Sequence, residues 1–296
     1  MLSILIPILN YDVEELVNTL LGQCQELKID FEIILMDDGS DEWYTSGYDK
    51  LAISANVVYH RNIQNQGRWW TRISLAQEAR YDHLLFLDAD AQIVRNNFVR
   101  RYIDVFNHRV IAGGHLYQSN RPEVGYLLHW KYGKEIEART LKERQRRPYQ
   151  SFSTFNFCIE KALFLNIVDG ISHKGYGHED SIIGHLLKQR KETVNHIDNP
   201  LLHTGLKSVD HFLSDSVSAI ENVIRIADQF PDLEIKALRI SKLIKRLGLI
   251  SPVQYLLELL YPFISKNLNS DRPLIVFLQF YKLTHFLRLN STNQSG

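Results

Sequence analysis

The stretch LLFLDADAQIV, residues 84–94, runs from an apolar segment into two aspartates and then returns to apolar residues. Its first part, together with His83, is typical of a strand that is buried on both faces. Asp88 and Asp90 follow where the chain leaves that strand. Two carboxylates at this point indicate either residues that cap a turn or residues that bind a ligand.

Strands and helices alternate over the first hundred residues, and this alternation predicts the fold. Residues 2–9 form a near-continuous apolar run, and Asp12 with Glu15 has the spacing of a capping box that opens the first helix. The predicted strands are 2–9, 31–36, 56–60 and 83–87, and the predicted helices are 12–27 and 69–80. This βαβ order predicts an α/β fold with a mostly parallel sheet and helices on both faces.

A second acidic pair, Asp37 and Asp38, ends the second predicted strand in the segment MDDGSDE (36–42). In open α/β sheets, ligands bind beyond the carboxyl ends of the strands. We therefore expect the two acidic pairs to meet at one edge of the sheet, where a ligand would bind. The alternative is that each pair only caps turns and helix starts.

Composition restricts the partners and the compartment. The chain has 34 Lys and Arg residues and 34 Asp and Glu residues, so it lacks the net positive charge that would favour binding to nucleic acid. The two cysteines have neither disulfide-framework nor metal-site spacing. The N-terminus lacks a basic region and carries Pro7 within its short apolar run, which is typical of a first strand and not of a signal peptide. We expect a cytoplasmic protein with no nucleic-acid partner.

Segment 207–296 differs from the rest because it is predicted to be helical throughout. The predicted helices are 210–230, 232–248, 252–267 and 273–290. Pro252, Glu258 and Pro262 interrupt its longest apolar stretch, which argues against a membrane-spanning helix. Five cations lie beside the apolar stretches: Lys236, Arg239, Lys242, Lys245 and Arg246. The segment is either an accessory bundle, which we favour, or a peripheral contact with the inner face of a membrane.

Four motifs in order resemble the family 2 nucleotide-sugar glycosyltransferases, which have the GT-A fold. They are SILIPILNY at the start, EIILMDDGSDE after the first helix, NQGRWWTRISLA, and LFLDADAQI with its Asp-x-Asp motif. The resemblance covers about the first 110 residues and implies a Rossmann-like, mostly parallel sheet that binds a nucleotide sugar.

The resemblance also implies roles for donor-site residues. Asp90 is expected to bind a divalent cation, Mn²⁺ or Mg²⁺, which hard oxygen ligands suit. Asp88 is expected near the ribose or sugar, and Asp38 is expected to accept the N3–H of uracil. Pro7 and Tyr11 are expected to lie beneath the base. Arg72 is expected to steady the nucleotide or the acidic loop, and its alternative role is that of a cation on the helix surface.

The segment HKGYGHEDSIIGHLLKQR (173–190) resembles the Gly-aromatic-Gly-x-Glu-Asp element of inverting galactosyltransferase-like enzymes. By this resemblance Asp180 is the general base on the acceptor hydroxyl, and Glu179 orients the acceptor. Both residues begin a predicted helix, so capping is the alternative. His203 in LLHTG is expected to complete the metal sphere, its alternative being a buried histidine bonded to backbone.

Two segments between these motifs have weaker signals. The run 132–150 is strongly charged, with Arg144, Arg146 and Arg147 clustered. We favour a solvated helix face over a mobile loop that covers the donor. Residues 151–159 are expected to return to the sheet, with Phe155 and Asn156 facing the acceptor.

These observations predict an inverting, divalent-metal-dependent glycosyltransferase of the hexosyltransferase type. The donor is a nucleotide sugar, with UDP expected, and the acceptor is a hydroxyl of a glycan or glycolipid in polysaccharide or cell-surface glycan synthesis. The predicted domains are 1–206 for catalysis, divided into donor half 1–110 and acceptor half 111–206, and 207–296 for the helical region. The alternatives are a sugar nucleotidyltransferase and a non-catalytic module that binds a sugar nucleotide.

Overall fold

The computed structural model describes residues 1–173, 175–233 and 235–292, and the chain forms two compact units. The first unit consists of residues 1–118, 138–174 and 182–205. The second consists of residues 119–137, 175–181 and 206–296. Two segments inside the predicted catalytic domain, 119–137 and 175–181, thus belong to the same unit as the C-terminal helices.

All strands of the described chain lie in the first unit. They are β1 (Leu2–Ile8), β2 (Phe31–Asp37), β3 (Val57–Arg61), β4 (His83–Leu87), β5 (Ala91–Gln92), β6 (Val110–Ala112), β7 (His115–Leu116), β8 (Asn156–Glu160), β9 (Asn195–His196) and β10 (Leu201–His203). The four strands predicted from the sequence correspond to β1 to β4, each within a residue or so at its ends. The α/β prediction is confirmed.

The helices occupy both units. They are α1 (Glu14–Leu27), α2 (Glu42–Leu51), α3 (Arg68–Glu78), α4 (Phe98–Ile103), α5 (Leu127–Tyr132), α6 (Leu141–Arg146), α7 (Lys161–Val168), α8 (Glu179–Gln189), α9 (Val209–Gln229), α10 (Lys236–Arg246), α11 (Ile250–Leu268) and α12 (Ile275–Thr292). A 3₁₀-helix (Val124–Tyr126) precedes α5, and a π-helix (Gly133–Glu137) follows it. Across the described residues, we find no helix with the length and apolar character needed to cross a bilayer.

Strand β1 lies at the centre of the main sheet. The strand order is β3-β2-β1-β4-β8-β6-β9, and β1 pairs in parallel with both β2 and β4. Strand β8 runs antiparallel to β4 and β6, so the sheet is mixed at this side. Since the chain turns from β1 to β2 on one side and returns to β4 on the other, β1 and β4 border the topological switch point, where ligands collect in such sheets.

Helices cover both faces of this sheet. Alternate residues of β1 (Leu2, Ile4, Ile6 and Ile8) share a buried core with the apolar face of α1. On the other face, α3 contacts β1 and β2, and α7 contacts α3 and β8. The burial of β1 on both faces, with only Pro7 partly exposed, explains its nearly continuous apolar sequence.

A second, three-stranded sheet extends the carboxyl edge of β4. Strand β10 lies between β5 and β7, antiparallel to β5 and parallel to β7. Its register places His203 opposite Ala91, next to the Asp-x-Asp motif. This small sheet therefore connects two motifs that are far apart in the sequence.

The second unit is a helical assembly with its own core. Helices α5, α9, α11 and α12 supply the buried apolar residues. A bidentate ion pair between Arg288 and Glu258 joins α12 to α11. The predicted helical character of the C-terminal segment is confirmed, with ends that differ by up to four residues.

Two details of the first helices differ from the sequence analysis. Helix α1 begins at Glu14 with Val13 as its N-cap, and the Asp12 carboxylate accepts a hydrogen bond from the Glu14 amide (2.9 Å), where a capping box would have the Glu15 amide as donor. The predicted capping box is therefore wrong.

Helix α2 has no counterpart among the predicted helices, because its sequence EWYTSGYDKL lacks a regular apolar stripe. Tertiary contacts stabilise it instead, since Tyr48 is buried and donates a hydrogen bond to the backbone oxygen of Tyr11 (2.8 Å).

The cationic segment 132–150 is folded and contains α6. The prediction that its cations lie on a solvated helix face is wrong for Arg144. A capping box between Thr140 and Glu143 starts α6, and the Arg144 side chain is only 4% exposed. Its guanidinium donates to the carbonyls of Ala112 (3.1 Å) and Ile197 (2.8 Å). Arg146 and Arg147 are exposed, as expected of a solvated helix face.

His196 completes the environment of Arg144. Its Nδ1 lies 3.1 Å from Arg144, and its Nε2 lies 2.9 Å from the Pro148 carbonyl. Burial and the Arg144 charge lower the pKa of His196, so the neutral ring accepts from arginine and donates to Pro148. His196 thus has a structural role.

A buried polar network next to Arg144 includes Asn156. The Asn156 amide donates to the carbonyls of Gly114 (3.1 Å) and Asn199 (2.9 Å), and its oxygen accepts from Tyr102 (2.5 Å). Phe155 and Asn156 are both buried. The expectation that Asn156 faces the acceptor is wrong, because its amide groups are used inside the core.

Both cysteines are buried in the first unit. Burial raises the pKa of Cys24 to about 12 and raises that of Cys158 further. The thiols are therefore protonated at neutral pH.

We predict that Arg144→Ala lowers the free energy of unfolding by about 3 kcal/mol, because it removes the hydrogen bonds from the guanidinium to Ala112, His196 and Ile197 and leaves a void in the core. Urea denaturation followed by circular dichroism measures this loss. The matched control is Arg146→Ala on the same helix, whose exposed side chain is expected to change stability by less than about 0.5 kcal/mol. Equal midpoints for the two variants would contradict the structural role of Arg144.

Candidate functional site

The predicted donor residues lie at the carboxyl edge of the parallel strands. Asp38 directly follows β2, and Asp88 and Asp90 directly follow β4. Since β1 pairs with both strands, these carboxylates lie on either side of the end of β1. Both acidic pairs thus lie at the ends of strands that flank β1 in the first unit, and a direct approach of one pair to the other stays a prediction.

Asp38 anchors the loop that leads into α3. Its buried carboxylate accepts hydrogen bonds from the Asn62 side-chain amide (3.0 Å) and from the backbone amides of Gln66 and Gly67 (both 2.8 Å). Gly67 is the N-cap of α3, so the carboxylate also lies at the positive end of that helix. Asp38 therefore has a structural role in this loop, and its recognition of uracil stays a prediction.

Arg72 binds Asp88 and is not a cation on the helix surface. Its side chain is 3% exposed, and its terminal nitrogen donates to Asp88 Oδ1 at 2.5 Å. Its Nε is buried and finds no partner among the residues that the structure describes. The ion pair fixes the first aspartate of the Asp-x-Asp motif against α3.

Asp90 is fixed through its backbone by Thr204. The Asp90 carbonyl accepts from both the amide and the hydroxyl of Thr204, each at 2.9 Å. This contact leaves the Asp90 carboxylate beside His203, with 3.5 Å between Oδ2 and Nε2. The structure therefore brings together the two residues that were expected to share a metal ion.

Gly205 leaves room for the Asp90 carboxylate. A methyl group placed on Gly205 would lie 2.7 Å from Cβ and 2.9 Å from Cγ of Asp90, closer than carbon atoms normally approach. A larger residue at 205 would displace the carboxylate or the strand that carries His203. The sequence signal for this requirement is the small residue that follows HT in LLHTG.

His203 is held in place by aromatic rings. Its ring stacks on Tyr117 and on Phe155, with centroids 5.2 and 5.3 Å away. These contacts, together with strand β10, limit the orientations of the imidazole. A ring held in one orientation is suited to present one nitrogen to a ligand.

Tyr11 and Pro7 occupy the end of β1 and the turn that follows it. The Tyr11 hydroxyl lies 2.9 Å from the Thr204 hydroxyl. Burial raises the pKa of Tyr11, and the Asp90 carboxylate adds to this increase. Pro7 is half-buried near the end of β1 and pairs with Met36. Tyr11 is thus part of the Asp90 and Thr204 cluster.

The donor set fits a hard divalent cation that also binds a ligand. An oxygen and a nitrogen 3.5 Å apart can both contact one ion at roughly 2.1 Å. Among the described residues, no three His, Cys, Asp or Glu side chains are grouped so that they could hold a metal alone. Two protein ligands are the usual number when phosphate oxygens and water supply the rest.

Glu179 and Asp180 belong to the second unit, where they begin α8. The preceding turn has left-handed backbone at Gly175 (φ 96°), Gly177 (φ 87°) and His178 (φ 70°). The two glycines thus occupy positions that residues with a side chain rarely adopt. Glu179 is buried and Asp180 is half-buried. The approach of Asp180 to Asp90 stays a prediction.

Two residues that the sequence analysis missed hold this turn within the second unit. Asn222 of α9 donates to the carbonyls of Tyr176 (3.4 Å) and Gly177 (3.2 Å). Lys207 donates to the Tyr176 hydroxyl (3.0 Å) and pairs with Asp215. Burial alone would lower the pKa of Lys207, but Tyr176 and Asp215 raise it. No local sequence signal marks these residues, because their contacts with the turn span more than thirty positions.

Comparison with known proteins identifies a family and a fold. The profile described as Glycosyl transferase family 2 matches residues 3–166. A mannosyltransferase from Pyrobaculum calidifontis, solved in complex with GDP-Man and Mn²⁺, superposes with a TM-score of 0.58 at 9% identity, covering 98% of this chain and 86% of that one. Mannosyl-3-phosphoglycerate synthase from Rubrobacter xylanophilus superposes with a TM-score of 0.53 at 14% identity, covering 80% and 76%. No protein with curated annotation matches the sequence.

We predict that Asp38→Asn releases the loop before α3, because the amide replaces one acceptor oxygen with a donor that faces backbone N–H groups. Hydrogen exchange at the Gln66 and Gly67 amides is expected to be at least about tenfold faster, since a hydrogen bond to a charged group contributes about 1.5–3 kcal/mol. Asp41→Asn is the matched control, because Asp41 is exposed and its side chain makes no capping bond. Unchanged exchange in Asp38→Asn would show that the loop does not depend on Asp38.

Proposed function

Because the chain belongs to glycosyltransferase family 2, whose profile covers more than half of its length, we propose that it transfers a sugar from a nucleotide donor to an acceptor hydroxyl with inversion at the anomeric carbon. The observation that carries this proposal is the 3.5 Å approach of Asp90 to His203 at the carboxyl edge of the sheet. The family assignment also favours glycosyl transfer over the two alternatives, a nucleotidyltransferase and a non-catalytic binding module.

Asp90 and His203 are proposed to hold a divalent cation, Mn²⁺ or Mg²⁺. When bound, this cation stabilises the negative charge that develops on the departing diphosphate. The mannosyltransferase similar in fold was solved with Mn²⁺, which supports a cation in this site. The backbone contact with Thr204 and the space above Gly205 orient the carboxylate for this role.

The neighbouring side chains are proposed to bind the nucleotide. Asp88, fixed by Arg72, is proposed to accept hydrogen bonds from hydroxyls of the ribose or the sugar. Pro7 and Tyr11 are proposed to form the floor under the base. Asp38 already accepts three hydrogen bonds, so a contact with uracil would use its remaining acceptor capacity. UDP is the donor nucleotide that the sequence favours.

Asp180 is proposed to be the general base. The acceptor hydroxyl gives its proton to the Asp180 carboxylate as its oxygen bonds to the anomeric carbon, and the bond from that carbon to the diphosphate oxygen breaks. Attack opposite the leaving group inverts the anomeric centre, so no second, nucleophilic carboxylate is needed. Glu179 is proposed to orient the acceptor, and the turn held by Asn222 and Lys207 positions both residues.

The acceptor is proposed to be a glycan or a glycolipid of a growing polysaccharide or cell-surface glycan. The support is the resemblance of the segment 173–190 to galactosyltransferase-like enzymes. A chain terminus or a lipid-linked sugar would supply the hydroxyl that Asp180 deprotonates.

A thermal-shift screen of UDP- and GDP-sugars, with and without Mn²⁺, tests the donor and the cation together. A saturating donor is expected to raise the Tm by about 5 °C only when Mn²⁺ is present, since binding at 100 times the Kd adds about 2.7 kcal/mol. Asp90→Asn and Gly205→Ala are both expected to abolish this shift. Gly22→Ala is the control for the glycine change, because nothing lies within 4 Å of its added methyl group. An undiminished shift in Asp90→Asn would contradict its role as a metal ligand.

We predict that Asp180→Asn keeps donor binding and loses transfer, with kcat lowered at least about 100-fold, because the amide cannot accept the proton. Product formation from a radiolabelled donor measures transfer, and the thermal shift measures binding. Asp210→Asn is the matched control, because Asp210 is also an acid in the first turn of a helix, α9. If both variants lost only stability and kept full transfer, Asp180 would be a helix-capping residue.

A further inference from the structure

Helix α11 exposes large apolar side chains along one face. Tyr255, Leu256, Leu259 and Phe263 are 75%, 53%, 61% and 69% exposed. Their spacing places them together on the helix surface. The opposite side of α11 is buried in the core of the second unit. An exposed helix face is normally polar, so this apolar face is suited to contact another apolar phase or molecule.

Helix α10 is the cationic neighbour of this face. Five exposed Lys and Arg side chains lie on it, and no acidic residue occurs between positions 236 and 257. Helix α10 contacts α11 and α12. Within the part of the chain that the structure describes, none of the five cations forms an ion pair: Lys236, Arg239, Lys242, Lys245 and Arg246. The cations are therefore available to an anionic partner.

We infer that α10, α11 and the linker between them form a docking surface for a membrane that contains anionic lipids. The apolar face of α11 would enter the boundary between headgroups and acyl chains, and the α10 cations would contact headgroup phosphates. Exposed Leu243, Leu247 and Leu249 continue the apolar surface from α10 through the linker. The inference goes beyond glycosyl transfer and does not depend on it.

The charge distribution favours lipid over a second copy of this chain. In a two-fold symmetric dimer the same surface patch meets itself, so the α10 cations of both copies would come together. Like charges across an interface are unfavourable, whereas an anionic lipid surface attracts each nearby Lys or Arg. A bilayer surface also accepts the exposed apolar side chains without requiring a shaped groove.

Cosedimentation of the full chain with lipid vesicles tests this inference. The protein is expected to bind phosphatidylcholine vesicles that contain about one third phosphatidylglycerol, and to bind pure phosphatidylcholine at least about tenfold more weakly. Salt of about 1 M is expected to weaken the binding, because it screens charges beyond roughly 3 Å. Absence of binding to the anionic vesicles, or equal binding to both kinds, would overturn the inference.

Two pairs of substitutions test the two parts of the surface. Lys242→Glu with Arg246→Glu is expected to lower the partition coefficient at least about tenfold, whereas the control Lys50→Glu with Lys142→Glu makes the same charge change on the first unit without this loss. Leu259→Ser with Phe263→Ser is expected to weaken binding similarly. Its control is Ile53→Ser with Trp43→Ser, which removes exposed apolar side chains from the first unit.

Folding and self-association are measured on the same samples. The substituted residues are exposed, so the Tm of each variant is expected to stay near that of the parent. If Leu259→Ser with Phe263→Ser lowers the Tm, the inference is tested by Lys242→Glu with Arg246→Glu and by the salt dependence of binding. Light scattering reports the oligomeric state. A dimer that becomes monomeric in Leu259→Ser with Phe263→Ser, without vesicle binding by the parent, would identify a self-association surface and overturn the inference. Variants that bind vesicles as the parent does would also overturn it.

Discussion

The parallel pairing of β1 with β2 and β4 is the constraint on which the candidate site depends. β1 is buried on both faces, and slipping its register by one residue would turn its side chains to the wrong faces of the sheet. Since Asp38 follows β2 and Asp88 follows β4, this strand pairing determines the positions of both residues. The position of the candidate site therefore depends on core packing as well as on the polar contacts between its residues.

Local polar contacts then orient the residues that the sheet brings together. Asp38 fixes the loop before α3, α3 carries Arg72, and Arg72 binds Asp88. On the other side, Thr204 binds the Asp90 backbone and places His203 beside the Asp90 carboxylate. Each step depends on the one before it, so a change in the loop at Asn62 or Gln66 would reach the Asp-x-Asp motif through α3.

The sequence predicted those parts of the fold that depend on local pattern. The apolar runs gave β1 to β4, and strand ends located the acidic pairs. Local pattern could not show that Arg144 is buried, because its three acceptors come from distant strands and loops. For the same reason the partners of Asp38 and the supports of the 175–178 turn, Lys207 and Asn222, could not be read from the sequence. The proximity of Asp90 and His203 was expected only from the family resemblance, since β5 and β10 are too short to have a sequence signal.

The burial of both thiols has a practical consequence. Cys24 and Cys158 are buried and protonated at neutral pH, so alkylating reagents have no accessible thiolate in the native protein. A cysteine introduced at an exposed position would then be the sole site of labelling, without removal of the natural residues. Position 255, with its side chain three-quarters exposed, would accept a polarity-sensitive fluorophore on α11.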